Sequence, residues 1–288
     1  MPDDAGSAAL PAPLRRIRSG LRRTPLDWAE LWRYRDLWTT LAMRDVKLRY
    51  RQTALGAAWV VLLPLVASGI FTLVFGKVAR LPSSGVPYFF LVFAGYLGWS
   101  SFQNTLLRCS IALIGNTTLV TKVYFPRLLL PASSVLASLL DFAVGMVIFL
   151  LAMGARGHFP SLTGLLLIPF LMLMLQVLSL GMGLFAAALT VRFRDVTYVL
   201  PILVQLLFFA SPVGYSLDAL AGSVPEWVRI VYLINPVAPM LDALRSSLLG
   251  TGDFHWKALA LSSAVSVLML AGGTMFFLFN DRQYADVI

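Results

Sequence analysis

The feature that most constrains this chain is the junction within Asp45–Pro64, DVKLRYRQTALGAAWVVLLP. Its first seven residues carry Lys47, Arg49 and Arg51, and from Ala54 onward no charged residue appears until Lys77. A basic segment therefore runs straight into an apolar one of about 20 residues, the length that crosses a hydrocarbon core as a helix. Lys and Arg beside a first spanning helix hold their side in the cytosol. The junction thus sets the topology expected for everything that follows.

Composition agrees with a polytopic membrane protein. Of 288 residues, 58% are apolar and only 13% charged, with a mean hydropathy of +0.79. Soluble domains have roughly 25% charged residues. The formal charge of +9 does not imply nucleic acid, because 11 of the 23 Lys and Arg lie before residue 55. A basic tail beside a spanning helix reflects the positive-inside rule and anionic lipid. Cys109 is the one cysteine, which excludes an internal disulfide, and with two histidines in all no Cys/His metal site is expected. Met1–Thr53 has no apolar core of a signal peptide, only an Arg-rich stretch from Arg15 to Arg23.

The chain divides into three parts: a disordered basic cytosolic tail (1–25), an amphipathic helix (26–53) and a transmembrane domain (54–288). In Leu26–Arg51, with a 100° step per residue, Arg44, Lys47 and Arg51 fall within about 60° of one another and form a basic stripe. Trp28, Trp32 and Trp38 suit headgroup level on a helix lying at the membrane surface. Six apolar stretches follow: Leu55–Phe75, one centred on Phe89–Phe102, Leu128–Ala155, one inside Phe159–Val191, Val196–Pro212 and Ala258–Asn280. The fifth is short. Six spans starting inside place both termini in the cytosol, with 17 Lys and Arg inside against 6 outside.

Two connections are unlike ordinary loops. Gly115–Pro126, GNTTLVTKVYFP, exposes Val120, Val123, Tyr124 and Phe125 on the cytosolic side, more apolar surface than a solvated loop needs. It predicts a short helix capped by Asn116 or Thr117 that either docks onto a partner or packs on its own chain. Pro212–Trp256 is too long for a structureless loop. Its apolar runs, punctuated by Pro225, Pro236 and Pro239, predict short helices dipping into the outer leaflet.

Catalytic chemistry is absent. No H-E-x-x-H motif occurs, and the Gly76–Lys77 pair lacks the upstream glycine of a phosphate loop. Conduit, transporter subunit or scaffold remain. Asp141, inside the third span, reads either as a pathway residue or as a structural carboxylate bonded to Ser, Thr or Gln of a neighbour, with Gln103 and Gln205 as candidates, since no intramembrane cation is expected. Phe89, Phe93, Tyr96 and Trp99 crowd the second span, and Phe208, Phe209 and Tyr215 end the fifth. They either line a glycan path, where sugar C–H faces stack on rings, or pack helices.

These residues resemble a known family. Arg44-Asp45-Val46-Lys47-Leu48-Arg49-Tyr50-Arg51, Leu55-Gly56 with Trp59 and Pro64, and Lys122-Val123-Tyr124-Phe125-Pro126-Arg127 with Pro131 carry the likeness. Arg194-Asp195, Pro201, Ser211-Pro212, Asn235-Pro236 and the ending Phe279–Ile288 continue it. Over roughly 30–288 the chain resembles the membrane subunit of an ABC-2 type exporter, in the branch that moves O-antigen, capsule, teichoic acid, galactan and related polysaccharides. The resemblance implies an all-α integral membrane fold with six transmembrane helices, an N-terminal interface helix, and short outer gate helices between spans five and six. It implies a homodimer in a bacterial inner membrane, two copies of a separate ATPase subunit that bind ATP and Mg, and a lipid-linked glycan as substrate. Thr117, Lys122, Val123, Tyr124, Phe125 and Arg127 would form the coupling helix seated on the ATPase. Arg44, Lys47, Arg49 and Arg51 would meet either the substrate's pyrophosphate or ordinary lipid headgroups. The rivals are the drug or small-lipid branch of the same superfamily, and a membrane scaffold or enzyme of glycan assembly.

Overall fold

The computed structural model describes residues 28–50, 58–78, 80, 85–157, 160–215, 232, 234–250 and 254–287. The tail 1–25, Arg51 and most of the expected Val228–Ile234 helix lie outside the described residues. Among those described, every regular element is helical. They are α1 (Trp28–Arg33), α2 (Arg35–Tyr50), α3 (Ala58–Phe71), α4 (Tyr88–Ile111), α5 (Thr117–Lys122), α6 (Leu129–Gly154), α7 (Leu162–Arg192), α8 (Val196–Phe209), α9 (Val237–Leu249) and α10 (Trp256–Val287).

Four segments are both long and apolar enough to cross a membrane: Ala58–Val78, α6, α7 and Trp256–Asp281 of α10. The first is α3 continued by a wider π-helical turn over Thr72–Val78. Of the other two expected spans, α4 has the length, at 24 residues and about 36 Å. It also carries Ser100, Ser101, Gln103, Asn104, Thr105 and Arg108, which lower its apolarity. Helix α8 is apolar but only 14 residues long.

One helix was expected over Leu26–Arg51; the structure breaks it at Tyr34, between α1 and α2. The Tyr34 N–H is shared between the carbonyls of Glu30 and Leu31, both at 3.2 Å, so the turn tightens there. Helix α2 then lays Leu41 and Ala42 against α6 and buries both.

Two main apolar cores hold the bundle, beside a small cluster of Tyr88, Leu91 and Val92. The larger joins α4, α6, α7 and α9 through side chains such as Phe93, Trp99, Phe149, Leu175 and Leu241. The smaller gathers Leu41, Cys109, Val120, Phe125, Leu184, Phe277 and Tyr284 where α2, α4, α5, α7 and α10 converge. Since lipid tails are as apolar as the side chains, helix association within a membrane depends on close packing and interhelical hydrogen bonds. Both occur. Helices α7 and α10 cross at Gly181 and Gly273, where a Cβ on Gly273 would lie 2.1 Å from the Gly181 carbonyl oxygen. Gln176 of α7 accepts from Thr105 Oγ1 at 2.6 Å and donates to Ser101 Oγ at 2.7 Å, stitching α7 to α4.

The α7–α10 crossing makes a sharp expectation. Gly273→Ala should destabilise the detergent-solubilised protein by about 1–3 kcal/mol, as overpacking does. Gly272→Ala, whose Cβ meets nothing within 4 Å, should not. Thermal unfolding of the two variants side by side checks this.

Candidate functional site

At the end of the bundle where the smaller core lies, a turn of 3₁₀-helix over Ile114–Asn116 leads into α5. Asn116 takes the N-cap position of α5, as expected, but its side chain makes no capping hydrogen bond there. Asn116 works as a connector instead. Its amide nitrogen donates to the Ala112 carbonyl at 2.9 Å, and its oxygen accepts from Arg44 Nη2 at 2.7 Å. The same Arg44 nitrogen pairs with Asp45 at 2.9 Å, and Ser133 Oγ on α6 reaches Asp45 at 3.4 Å. The basic stripe is therefore not uniform. Arg44 ties α2 to the approach to α5, whereas Lys47 is exposed; the Arg49 side chain and Arg51 lie outside the described residues.

The motif after α5 splits between surface and core. Thr117 and Lys122 are exposed, Val123 is 51% exposed and Tyr124 83%. Phe125 is corrected: it is 6% exposed and packs in the smaller core, so the aromatic pair does not present together. Val123 is already extended, so α5 ends before the two rings. Arg127 also points inward. It donates to the backbone carbonyl and carboxylate of Asp281 on α10. Beside that pair, burial and the Asp281 charge push the Tyr284 phenol well above its usual range, with Arg127 pulling the other way.

A groove of about 330 Å³ opens between α3, α4 and α6. Asp141 lines it at the thirteenth position of the 26-residue α6. The expectation that no cation lies near it is corrected here. Gln205 is exposed on α8, and Gln103 accepts from Trp99 Nε1 at 2.7 Å. Asp141 meets a cation, with Arg108 Nη2 at 3.6 Å from Oδ2. Helices α4 and α6 run antiparallel, as Ser101 faces Ser138, Thr105 faces Ser134 and Leu97 faces Gly145. Side chains lean toward the N-terminus of their own helix, so on antiparallel neighbours Arg108 and Asp141 reach toward each other.

The aromatic candidates separate by position. Phe93, Trp99 and Phe208 are buried in the larger core, with Phe93 on Phe149 and Phe208 on Trp99 at centroid distances of 5.5 and 5.4 Å. Phe89 packs on Phe90 and Phe93. Phe209 is exposed on α8, and Tyr215 packs on Tyr232 while donating to the Phe209 carbonyl at 3.1 Å. Tyr96 is the member of the set that lines the groove.

The connection after α8 holds a residue that sequence reasoning set among loop charges. Arg245 is 4% exposed, on a helix of which ten of thirteen residues are buried. It pairs with Asp242 one turn earlier and donates to the carbonyls of Pro212 at 3.2 Å and Tyr215 at 2.7 Å. Asn235 ties the same two elements: its Nδ2 donates to the Ala210 carbonyl at 3.1 Å, and its Oδ1 accepts from the Val237 N–H at 3.0 Å. Gly250, at φ 68°, ends α9 in the left-handed conformation. The i,i+3 spacing of Asp242 and Arg245 inside an apolar run was the available signal. Among the described residues no group of His, Cys, Asp or Glu forms a metal site.

A bundle of long apolar helices, a short helix followed by exposed Val123 and Tyr124, and a groove holding the Arg108–Asp141 pair fit a helical membrane protein. Residues 36–249 match the ABC-2 type transporter family, and the chain belongs to it. It is 33% identical over 191 residues to the O-antigen export system permease protein RfbA of Myxococcus xanthus, covering 66% of this chain and 72% of that one. A protein of the same name from Klebsiella pneumoniae is 25% identical over 64% of this chain and 71% of its own. The polysialic acid transport protein KpsM of Escherichia coli is 26% identical over 62% and 70%.

The Arg245 clasp is testable. Arg245→Leu strands the Asp242 carboxylate and should cost about 3–5 kcal/mol, the usual penalty for breaking a buried pair from one side. Adding Asp242→Leu should return part of that loss, as read by thermal unfolding in detergent.

Proposed function

We propose that this chain is the membrane-spanning permease subunit of an ATP-driven exporter that moves a lipid-linked polysaccharide from the cytosol across the bacterial inner membrane. The observation that carries the reading is its likeness, over about two thirds of its length, to permeases named for O-antigen export. In this reading α4 and α8 complete six spans, both termini are cytosolic, and two copies of the chain form the path. The exposed apolar face of α8, with Ile202, Leu203 and Leu206, and that of α3, with Leu63, Val66 and Ile70, supply surface for lipid or the second copy.

ATP and Mg belong to a separate ATPase subunit, one per permease. Tyr124, Val123, Lys122 and Thr117 form the face that seats on it. Phe125 and Arg127 act from behind that face, holding it to α10 and the smaller core. Closure of the ATPase pair on ATP displaces α5, and the displacement passes to α2 through Asn116 and Arg44. Lys47, Arg49 and Arg51 remain for lipid phosphate, where Arg and Lys bind anionic oxygens strongly.

Depleting the protein should cause one glycan-lipid to build up on the cytosolic face and disappear from the envelope. A normal envelope with no build-up would move the chain to the drug or small-lipid branch. Tyr124→Ala should reduce ATPase co-purification severalfold, with the amount of permease in the membrane unchanged. Phe125→Ala should instead lower the amount of permease itself, since truncating a buried Phe costs about 3–5 kcal/mol. Unchanged co-purification with Tyr124→Ala would remove that face from the docking surface.

A further inference from the structure

We propose that the groove between α3, α4 and α6 is a subsite for an uncharged glycosyl unit of the moving chain, rather than for its lipid diphosphate. The inference rests on the export reading above and adds which part of the substrate this site takes. At about 330 Å³ the groove is at the small end of the range of ligand pockets, roughly 300–1,000 Å³. Trp59 of α3, Tyr96, Gln103, Asn104 and Arg108 of α4, and Asp141 of α6 all line it.

Charge selects the ligand. Among the described residues, the charged groups of the lining are one cation and one anion, Arg108 and Asp141, which balance each other. A phosphate drawn to Arg108 would meet the Asp141 carboxylate, and an ammonium drawn to Asp141 would meet the guanidinium. A neutral polyol meets neither penalty. Its hydroxyls both donate and accept, and the groove offers both functions: Arg108 donates, Asp141 accepts, and Asn104 does either. Trp99 occupies the oxygen of Gln103, leaving that amide's nitrogen as a donor. Trp59 and Tyr96 add rings on which the C–H face of a sugar stacks.

Position points the same way. Ionisable groups at membrane depth are costly and are kept where they pair or line a water-filled cavity. With side chains 26% and 14% exposed, Arg108 and Asp141 do both. At 3.6 Å their contact is an ion pair longer than a hydrogen bond, so it leaves room for a hydroxyl to bridge them.

The test is photo-crosslinking in cells that express the permease with its ATPase and carry a radiolabelled sugar in the exported glycan. A benzophenone amino acid replaces Trp59 or Tyr96, and for comparison Leu166 or Leu268, which are exposed on α7 and α10. After illumination, mild acid cleaves the sugar–diphosphate bond. Sugar label should remain on the protein at 59 and 96 and be absent at 166 and 268. Asn104→Ala should lower the adduct at 59 about fivefold, the effect of one hydrogen bond, with the amount of permease unchanged. Label lost on acid treatment would assign the groove to the lipid diphosphate and overturn the proposal. Glycan that builds up on depletion yet gives no adduct at 59 or 96 overturns the subsite alone, whereas a normal envelope on depletion overturns the export reading itself.

Discussion

The structure depends on how closely α7 and α10 approach. Within a bilayer the hydrophobic effect does not drive one apolar helix onto another, so small residues that let backbones touch take over that role. At Gly181 and Gly273 the two backbones come so near that no side chain fits between them. The crossing fixes two of the longest helices relative to each other, and the rest is assembled on α7. Gly164 of α7 sits against the Ser247 carbonyl and so seats α9, while Gly183 accommodates Cys109 of α4. Gln176 adds the polar stitch to α4.

Among the described residues, three ion pairs help tie parts of this frame together. Arg108–Asp141 joins α4 to α6, Arg127–Asp281 joins the start of α6 to α10, and Arg245 with Asp242 holds α9 to the turn after α8. Burying an ion pair is weak evidence for stability, since desolvation offsets most of the attraction. Fixing geometry is the better account of these three. Each places one end of a helix at a defined point on another, and two of them adjoin a proposed working surface.

Much of the fold was legible in the sequence, because long charge-free runs have few alternatives to a spanning helix. The apolar helix entered within Asp45–Pro64, the short helix within Gly115–Pro126 and the helix beginning after Asn235-Pro236 could all be read from patterning. What could not be read was direction. Nothing in the one-dimensional pattern says that Arg108, near the end of α4, turns along the bundle to Asp141 instead of outward to headgroups. That outcome depends on the antiparallel register of α4 and α6, a tertiary fact. Phe125 hid for the same reason: which of the two neighbouring rings is buried depends on how the segment after α5 meets the smaller core. Arg245 was the more recoverable miss, since Asp242 lies one helical turn before it on an apolar helix.

The tethers around α5 determine how the bundle would respond to force. Asn116 and Arg44 hold its approach to α2, Phe125 anchors its exit in the smaller core, and Arg127 bolts the next residues to α10. A push on Tyr124 would therefore reach both α2 and the end of α10 through contacts already in place. Helix α3 stands apart from these tethers: it contains Pro64 and runs on into a π-helical turn.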